Sequence, residues 1–153
     1  MKRMILYALI LGALVFAPLD RIEIAALEPI EAVWMHLENG NVVLETDTED
    51  KGVGVTVAEA LADMKNNSSG IIYLDTARYL FLDEEVRERI GEMAAYVKRS
   101  VRLCQWDGIG SLREIAKYAD AHKIGEKMQR WKLSGKLPNL SGRNLSEKGE
   151  MPY

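Results

Sequence analysis

The chain is poor in the residues that disulfides and most zinc sites need. Its 153 residues include one cysteine, Cys104, and two histidines, His36 and His122. A single cysteine excludes an internal disulfide, and three such side chains are too few for a closed Cys/His zinc site. Because Cys104 lies within the apolar run Val101–Trp106, we expect a small core residue and not a reactive thiol.

Glycine motifs for phosphate binding are incomplete as well. Gly52 and Gly54 precede a predicted helix, whose first N–H groups can bind anions. The dinucleotide pattern needs a third glycine where Val57 stands, and no Gly-Lys-Ser/Thr follows. The acidic stretch Glu45–Asp50 would repel phosphate, and it lacks the glycine and the distal glutamate of a standard calcium loop. We therefore predict no cofactor and no metal ion.

One apolar segment stands out near the start of the chain. Met4–Leu19 carries no charge over 16 residues and follows Lys2 and Arg3. As a helix it would span about 24 Å, a little less than the ~30 Å hydrocarbon core. Since it is apolar on every face, we predict an uncleaved membrane anchor over residues 1–19, with the following chain outside the cytoplasm. A signal peptide cleaved after Val15–Ala17, with secretion of the rest, and a buried soluble helix are the alternatives.

The pattern that follows predicts one globular α+β domain over residues 20–122. We expect a small mixed sheet of about four to five strands, carrying three amphipathic helices. The predicted strands are Ile30–Leu37, Asn41–Thr48, Ile71–Leu74, Tyr79–Leu82 and Ser100–Trp106, the third and fourth being either two strands or one bent strand. Asn39 and Gly40 predict a type I′ hairpin between the first two strands, and Thr46–Gly54 is predicted as a loop.

Capping patterns predict where the three helices begin. Thr56 with Glu59, and Ser111 with Glu114, match the capping box in which a hydroxyl and a carboxylate bond to backbone N–H groups. Asp83 precedes the remaining helix, which has an acidic first turn. The apolar positions of the three helices are Val57, Ala60, Leu61 and Met64, then Val86, Ile90, Met93 and Val97, then Leu112, Ile115, Ala116 and Ala119.

Charge separates the body from the C-terminal segment. Residues 1–122 carry 13 Lys/Arg and 20 Asp/Glu, a net of −7, whereas residues 123–153 carry 7 and 3, a net of +4. We predict a basic, flexible tail over residues 123–153, in which Lys123–Leu133 either extends the last helix or forms a short strand. The candidate contacts for lipid or a protein partner are Lys127, Arg130, Trp131, Lys132 and Lys136. The same residues could instead fold back on the acidic body or stay solvated, and we expect no nucleic-acid binding.

The middle of the chain resembles a known family. Gly52–Leu61 matches a G-x-G-x-T-x-x-E-A-L segment that is typical of the Ger(x)C spore-germination proteins, the C subunits of germinant receptors. The apolar pair in Ile71–Leu82, followed by the acidic helix start at Asp83, is similar to the same family. The opening Asp20–Ile24 and the Val101–Ile115 region also fit, so the resemblance covers roughly residues 20–120.

The resemblance implies a non-enzymatic role at a membrane. Family members are lipoproteins of the spore inner membrane, with further domains after this one. This chain differs in having no cysteine after its apolar segment, so a peptide anchor would replace the lipid. It also carries Thr76 where we expect a histidine in the family.

Two functions follow as hypotheses. The first is a membrane-tethered extracytoplasmic interaction or assembly domain, with Met4–Leu19 in the membrane and a protein partner of unknown identity. The second is a secreted or surface enzyme of unknown reaction, with Asp75, Asp83 and His36 as candidates. The second requires that those three side chains meet in one concave pocket.

Overall fold

The computed structural model describes residues 29–142 of the chain. The predicted anchor Met4–Leu19 and residues 143–153 lie outside the described residues. Within them the fold is α+β, with one mixed sheet of six strands and four α-helices. The strands are β1 (Ala32–Glu38), β2 (Asn41–Thr46), β3 (Lys51–Gly54), β4 (Tyr79–Leu82), β5 (Arg102–Gln105) and β6 (Glu126–Lys127). The α-helices are α1 (Val57–Asn67), α2 (Ile90–Met93), α3 (Leu112–Ala121) and α4 (Met128–Ser134), and 3₁₀ turns cover Leu74–Thr76 and Glu84–Arg89.

The strand order across the sheet is β3-β2-β1-β4-β5-β6. Strands β1, β4 and β5 are parallel, whereas β2, β3 and β6 run antiparallel to the strands they pair with. The register aligns Ala32 with Tyr79, Tyr79 with Arg102, and Arg102 with Lys127. We call the end of the sheet marked by this row the amino end, because the three parallel strands begin there.

The hairpin between β1 and β2 confirms the turn predicted from sequence. Asn39 and Gly40 have φ values of 53° and 81°, as a type I′ turn requires at both central positions. The pairing runs from Glu38 opposite Asn41 to Val33 opposite Thr46.

Both faces of the sheet are covered, so successive residues of the inner strands are buried on opposite sides. In β4, Leu80 and Leu82 face the larger core beneath α1 and α2, while Tyr79 and Phe81 face α3. This explains why β4 is a continuous apolar run and not an alternating one. All the predicted apolar positions of the first two predicted helices are buried, as are Ile115, Ala116 and Ala119 of α3. The second predicted helix is only in part α-helical, because Val86 lies in the 3₁₀ turn and Val97 lies beyond Ile90–Met93.

Gly52 and Gly54 lie in β3, directly against α1. A Cβ atom at Gly52 would collide with the carbonyl oxygen of Ala60, and one at Gly54 with the Ala60 backbone nitrogen. The two glycines therefore permit close packing of a helix on a strand. The predicted loop Thr46–Gly54 is thus shorter in the structure, because Lys51–Gly54 pairs with β2.

Three other segments differ from the prediction. Ile71–Leu74 is not a strand, and Leu74–Thr76 forms a 3₁₀ turn tied to the chain before β1, since Thr76 Oγ1 donates to the Ile30 carbonyl at 3.0 Å. Ser111 precedes α3 but its side chain makes no capping hydrogen bond. Of the predicted flexible tail, the part up to Gly142 is packed on the body: β6 pairs with β5, and Met128 and Leu140 are buried.

Candidate basic site at the amino end of the sheet

A groove of about 350 Å³ lies at the amino end, where β4, β5 and β6 meet. Its cationic side chains come from three separate stretches of the sequence. They are Arg78 before β4, Lys98 and Arg102 around the start of β5, and Lys127 in β6. The strand register explains why two of these side chains lie close together. Arg102 and Lys127 are directly opposite each other on neighbouring strands, so their side chains share one face of the sheet.

The backbone holds Arg78 between the first strand and Arg102. Its N–H donates to the Glu31 carbonyl at 2.8 Å, and its carbonyl accepts from the Arg102 N–H at 2.9 Å. The Arg78 guanidinium donates to Asp120 of α3 at 2.7 Å, and the Tyr79 hydroxyl bonds to the same carboxylate oxygen at 3.3 Å. Burial, and secondarily the nearby Asp120 carboxylate, raise the pKa of Tyr79, so this phenol stays protonated as a donor.

A second cleft, of about 370 Å³, continues the positive charge onto the neighbouring helices. Lys98 lines both clefts, and Arg99 and Lys132 line the second. We call the six cations of the two clefts the basic surface: Arg78, Lys98, Arg99, Arg102, Lys127 and Lys132. No carboxylate is among the side chains that line either cleft in the described chain. An anionic ligand would meet little repulsion from the walls of these clefts, although Asp120 pairs with the Arg78 guanidinium at 2.7 Å.

The structure places the five predicted contact residues in different environments. Lys127 and Lys132 belong to the basic surface. Arg130 instead forms an i,i+4 ion pair with Glu126, at 3.6 Å. Trp131 is half-buried against the larger core, and its indole nitrogen has no hydrogen-bond partner within residues 29–142. Lys136 lies beyond the end of α4 and is exposed.

The remaining four cations of the basic surface do not form a motif that the sequence alone reveals. Arg78, Lys98, Arg99 and Arg102 belong to the part of the chain with a net negative charge. The signal available was their position just before two buried strands. Recognising the site also required knowing that those strands are parallel neighbours.

The other half of the amino end is acidic. A cleft of about 610 Å³ beside the β2–β3 turn is lined by Glu31, Asp47 and Glu49, together with Arg113 and Lys117 of α3. The Asp47 carboxylate accepts hydrogen bonds from the backbone N–H groups of Glu31 and Ala32, at 3.1 and 3.2 Å. Asp47 therefore serves to hold the turn against β1. No group of His, Cys, Asp and Glu in residues 29–142 is arranged to hold a metal ion.

The three candidate catalytic side chains do not meet in one pocket. Asp83 follows β4 at the carboxyl end of the sheet, next to His36, since its N–H donates to the Met35 carbonyl at 3.1 Å. Asp75 lies near the amino end, in a separate cleft of about 170 Å³.

The contacts of His36 and Asp83, like the burial of Cys104, are those of residues that support the fold. The imidazole of His36 stacks on Trp34 with ring centroids 3.8 Å apart, and burial lowers its pKa. The Asp83 carboxylate caps the following turn by accepting from the Glu84 N–H at 2.6 Å. Burial raises the pKa of the Cys104 thiol to about 12, which favours the unreactive protonated form.

None of the helices between residues 29 and 142 is long and apolar enough to cross a bilayer. No family model matches the chain, and comparison with curated proteins and with solved structures gives no match either.

Proposed function

We propose that the chain is a membrane-tethered, extracytoplasmic interaction module, with a role like that of the N-terminal domain of the Ger(x)C spore-germination proteins. In this proposal Met4–Leu19 is a single-pass anchor and the body lies outside the cytoplasm. The protein partner belongs to sporulation or germination. The module binds and positions, and the proposal gives it no reaction.

The observation that supports the proposal is the end of the sheet at which the chain enters β1. Pro29 and Glu31 precede β1 at the amino end, and Ala32 is in register with Arg102 and Lys127 of the basic surface. At the usual strand spacing of ~4.8 Å, three strand steps separate Ala32 from Lys127 by about 14 Å. The anchor would therefore join the body at the same end of the sheet as the basic surface, next to the acidic cleft that Pro29 and Glu31 line.

The length of the connection keeps this end near the membrane. Nine residues, 20–28, join Leu19 to Pro29. Even fully extended, they would reach about 30 Å. A domain tethered at its amino end by so short a connection would often have that end close to the lipid surface.

Cell fractionation of the full chain with a C-terminal tag tests the proposal in a spore-forming bacterium. We expect the protein in the membrane fraction, with its tag accessible to protease added from outside. Ile10→Glu with Leu14→Glu should move it out of that fraction, because two buried carboxylates cost several kcal/mol in a bilayer. The matched variant Ile10→Val with Leu14→Val should stay in the membrane.

Two results would contradict the tether. One is a membrane-free cytosolic pool of the unaltered chain. The other is a mature protein whose first residue is Pro18, because that N-terminus means cleavage of a signal peptide. Crosslinking and pull-down from sporulating cells would then identify the partner of whichever form is present.

A further inference from the structure

Exposed aromatic side chains lie beside the basic surface. Tyr73 and Tyr96 line the cleft of about 170 Å³ together with Leu61 and Ile72, and we call these four residues the aromatic cleft. Tyr73 is 49% exposed and Tyr96 37%. Ile71, next to the cleft in sequence, is 48% exposed. Two of the large apolar side chains that the described chain leaves partly in solvent therefore line one cleft, and a third precedes it in sequence.

The aromatic cleft and the basic surface are lined by adjacent stretches of the chain. The segment that carries Tyr73 continues through Thr76 to Arg78, and the segment that carries Tyr96 continues to Lys98. Thr76 Oγ1 is 2.9 Å from the Tyr73 carbonyl oxygen and 3.0 Å from the Ile30 carbonyl oxygen. The aromatic segment is thus fixed to the residues that lead into β1, at the end of the sheet where the anchor would join.

We propose that the aromatic cleft and the basic surface together form a docking face for an anionic lipid bilayer. Tyr73 and Tyr96 would lie at headgroup depth, where amphipathic aromatic rings are favoured. The lysines and arginines of the basic surface would contact lipid phosphates. This inference rests on the proposed function, because the tether brings the face to the membrane.

The carboxylates near this face are already engaged. Asp120 bonds to Arg78, and Asp75 lies close enough to the Tyr73 hydroxyl to raise the pKa of that tyrosine. The acidic cleft around Glu31, Asp47 and Glu49 lies at the β2–β3 side of the same end. The domain should therefore dock tilted, with β4 to β6 towards the lipid and β2 and β3 away from it.

Fluorescence quenching on vesicles tests the docking face with the full chain. A fluorophore is attached at Ser100→Cys, an exposed position between Lys98 and Arg102, and the vesicles contain lipid with a nitroxide quencher. Ile109→Cys, an exposed site beyond the carboxyl end of β5, is the matched control position. Buried Cys104 stays unlabelled in the folded protein. We expect quenching at Ser100 with anionic vesicles, little with zwitterionic vesicles, and little at Ile109 with either.

Charge variants give the expected size of the effect. Lys98→Gln should lower the ratio of docked to undocked protein about fivefold, and the set Lys98→Gln, Lys127→Gln and Lys132→Gln about a hundredfold. Lys117→Gln removes the same charge from the acidic cleft and should change the ratio less than twofold. Tyr73→Ser should lower the ratio severalfold without changing its dependence on salt.

Flotation of the same vesicles separates failure of docking from failure of the tether. A chain that floats with both vesicle types, but shows equal quenching at Ser100 and Ile109, overturns the docking face and leaves the tether. A chain that floats only with anionic vesicles and is quenched at Ser100 supports docking without a tether. A chain that floats with neither overturns both proposals.

Discussion

Single residues of this domain are constrained mostly by packing, and Gly52 is the clearest case. An added methyl group at Gly52 would meet the backbone and the Met64 side chain of α1. Because backbone cannot move aside without shifting the helix, we expect Gly52→Ala to lower the free energy of unfolding by about 1–3 kcal/mol.

Gly91 supplies the control for that experiment. It lies in α2, is exposed, and has nothing within 4 Å of the position that a Cβ would occupy. We expect Gly91→Ala to be neutral or stabilising by up to about 1 kcal/mol, since alanine favours the helix. Urea unfolding of both variants measures the difference, and equal effects of the two substitutions would contradict the packing account.

Cys104 gives a prediction that depends on pH. Burial raises its pKa from 9.0 to about 12, so the folded protein keeps the thiol proton that the unfolded chain loses above pH 9.0. The folded state therefore binds more protons in that interval, and stability falls as pH rises through it. At pH 8 a thiol reagent should not react until denaturant is added. Rapid modification of the native protein would show that Cys104 is accessible.

At the level of the element, Thr56 and Ser111 look alike in sequence and differ in the structure. The Thr56 hydroxyl accepts from the Glu59 N–H at 3.2 Å, and the Glu59 carboxylate accepts from the Val55 N–H at 2.9 Å. Ser111 makes no such bond. We expect Thr56→Ala to cost about 1 kcal/mol of unfolding free energy and Ser111→Ala less than half of that. Thermal denaturation of the two variants compares them directly, and the reverse order would refute the assignment of the caps.

Elements with a strong local signal could be predicted from the sequence, and elements held only by their neighbours could not. Asn39-Gly40 and the apolar run of β4 both identify their structures locally. β3 contains two glycines in four residues, so its strand conformation depends on pairing with β2 and on the helix above it. Ile71–Leu74 is the opposite case: its apolar run predicts a strand, but the segment is only partly buried and does not join the sheet.

At the level of the whole molecule, the amino end of the sheet brings together features that are distant in the chain. The entry of the chain into β1, the basic surface and the aromatic cleft all lie there. The net charge of each segment predicted a positive region only in the C-terminal stretch. In the structure, Lys127 and Lys132 of that stretch lie beside four cations from the acidic body. Parallel pairing of β4 and β5 produces this arrangement, and pairing partners of strands are not legible in composition or spacing.

Labelling in intact cells tests the central claim, which is that the body is held outside the cytoplasm by the N-terminal segment. The full chain carrying Ile109→Cys is treated with a maleimide that does not cross membranes, and the membrane fraction is then isolated. We predict that the protein is labelled in intact cells and remains in the membrane fraction. Protein that is labelled only after lysis, or that is recovered outside the membrane fraction, would contradict the account.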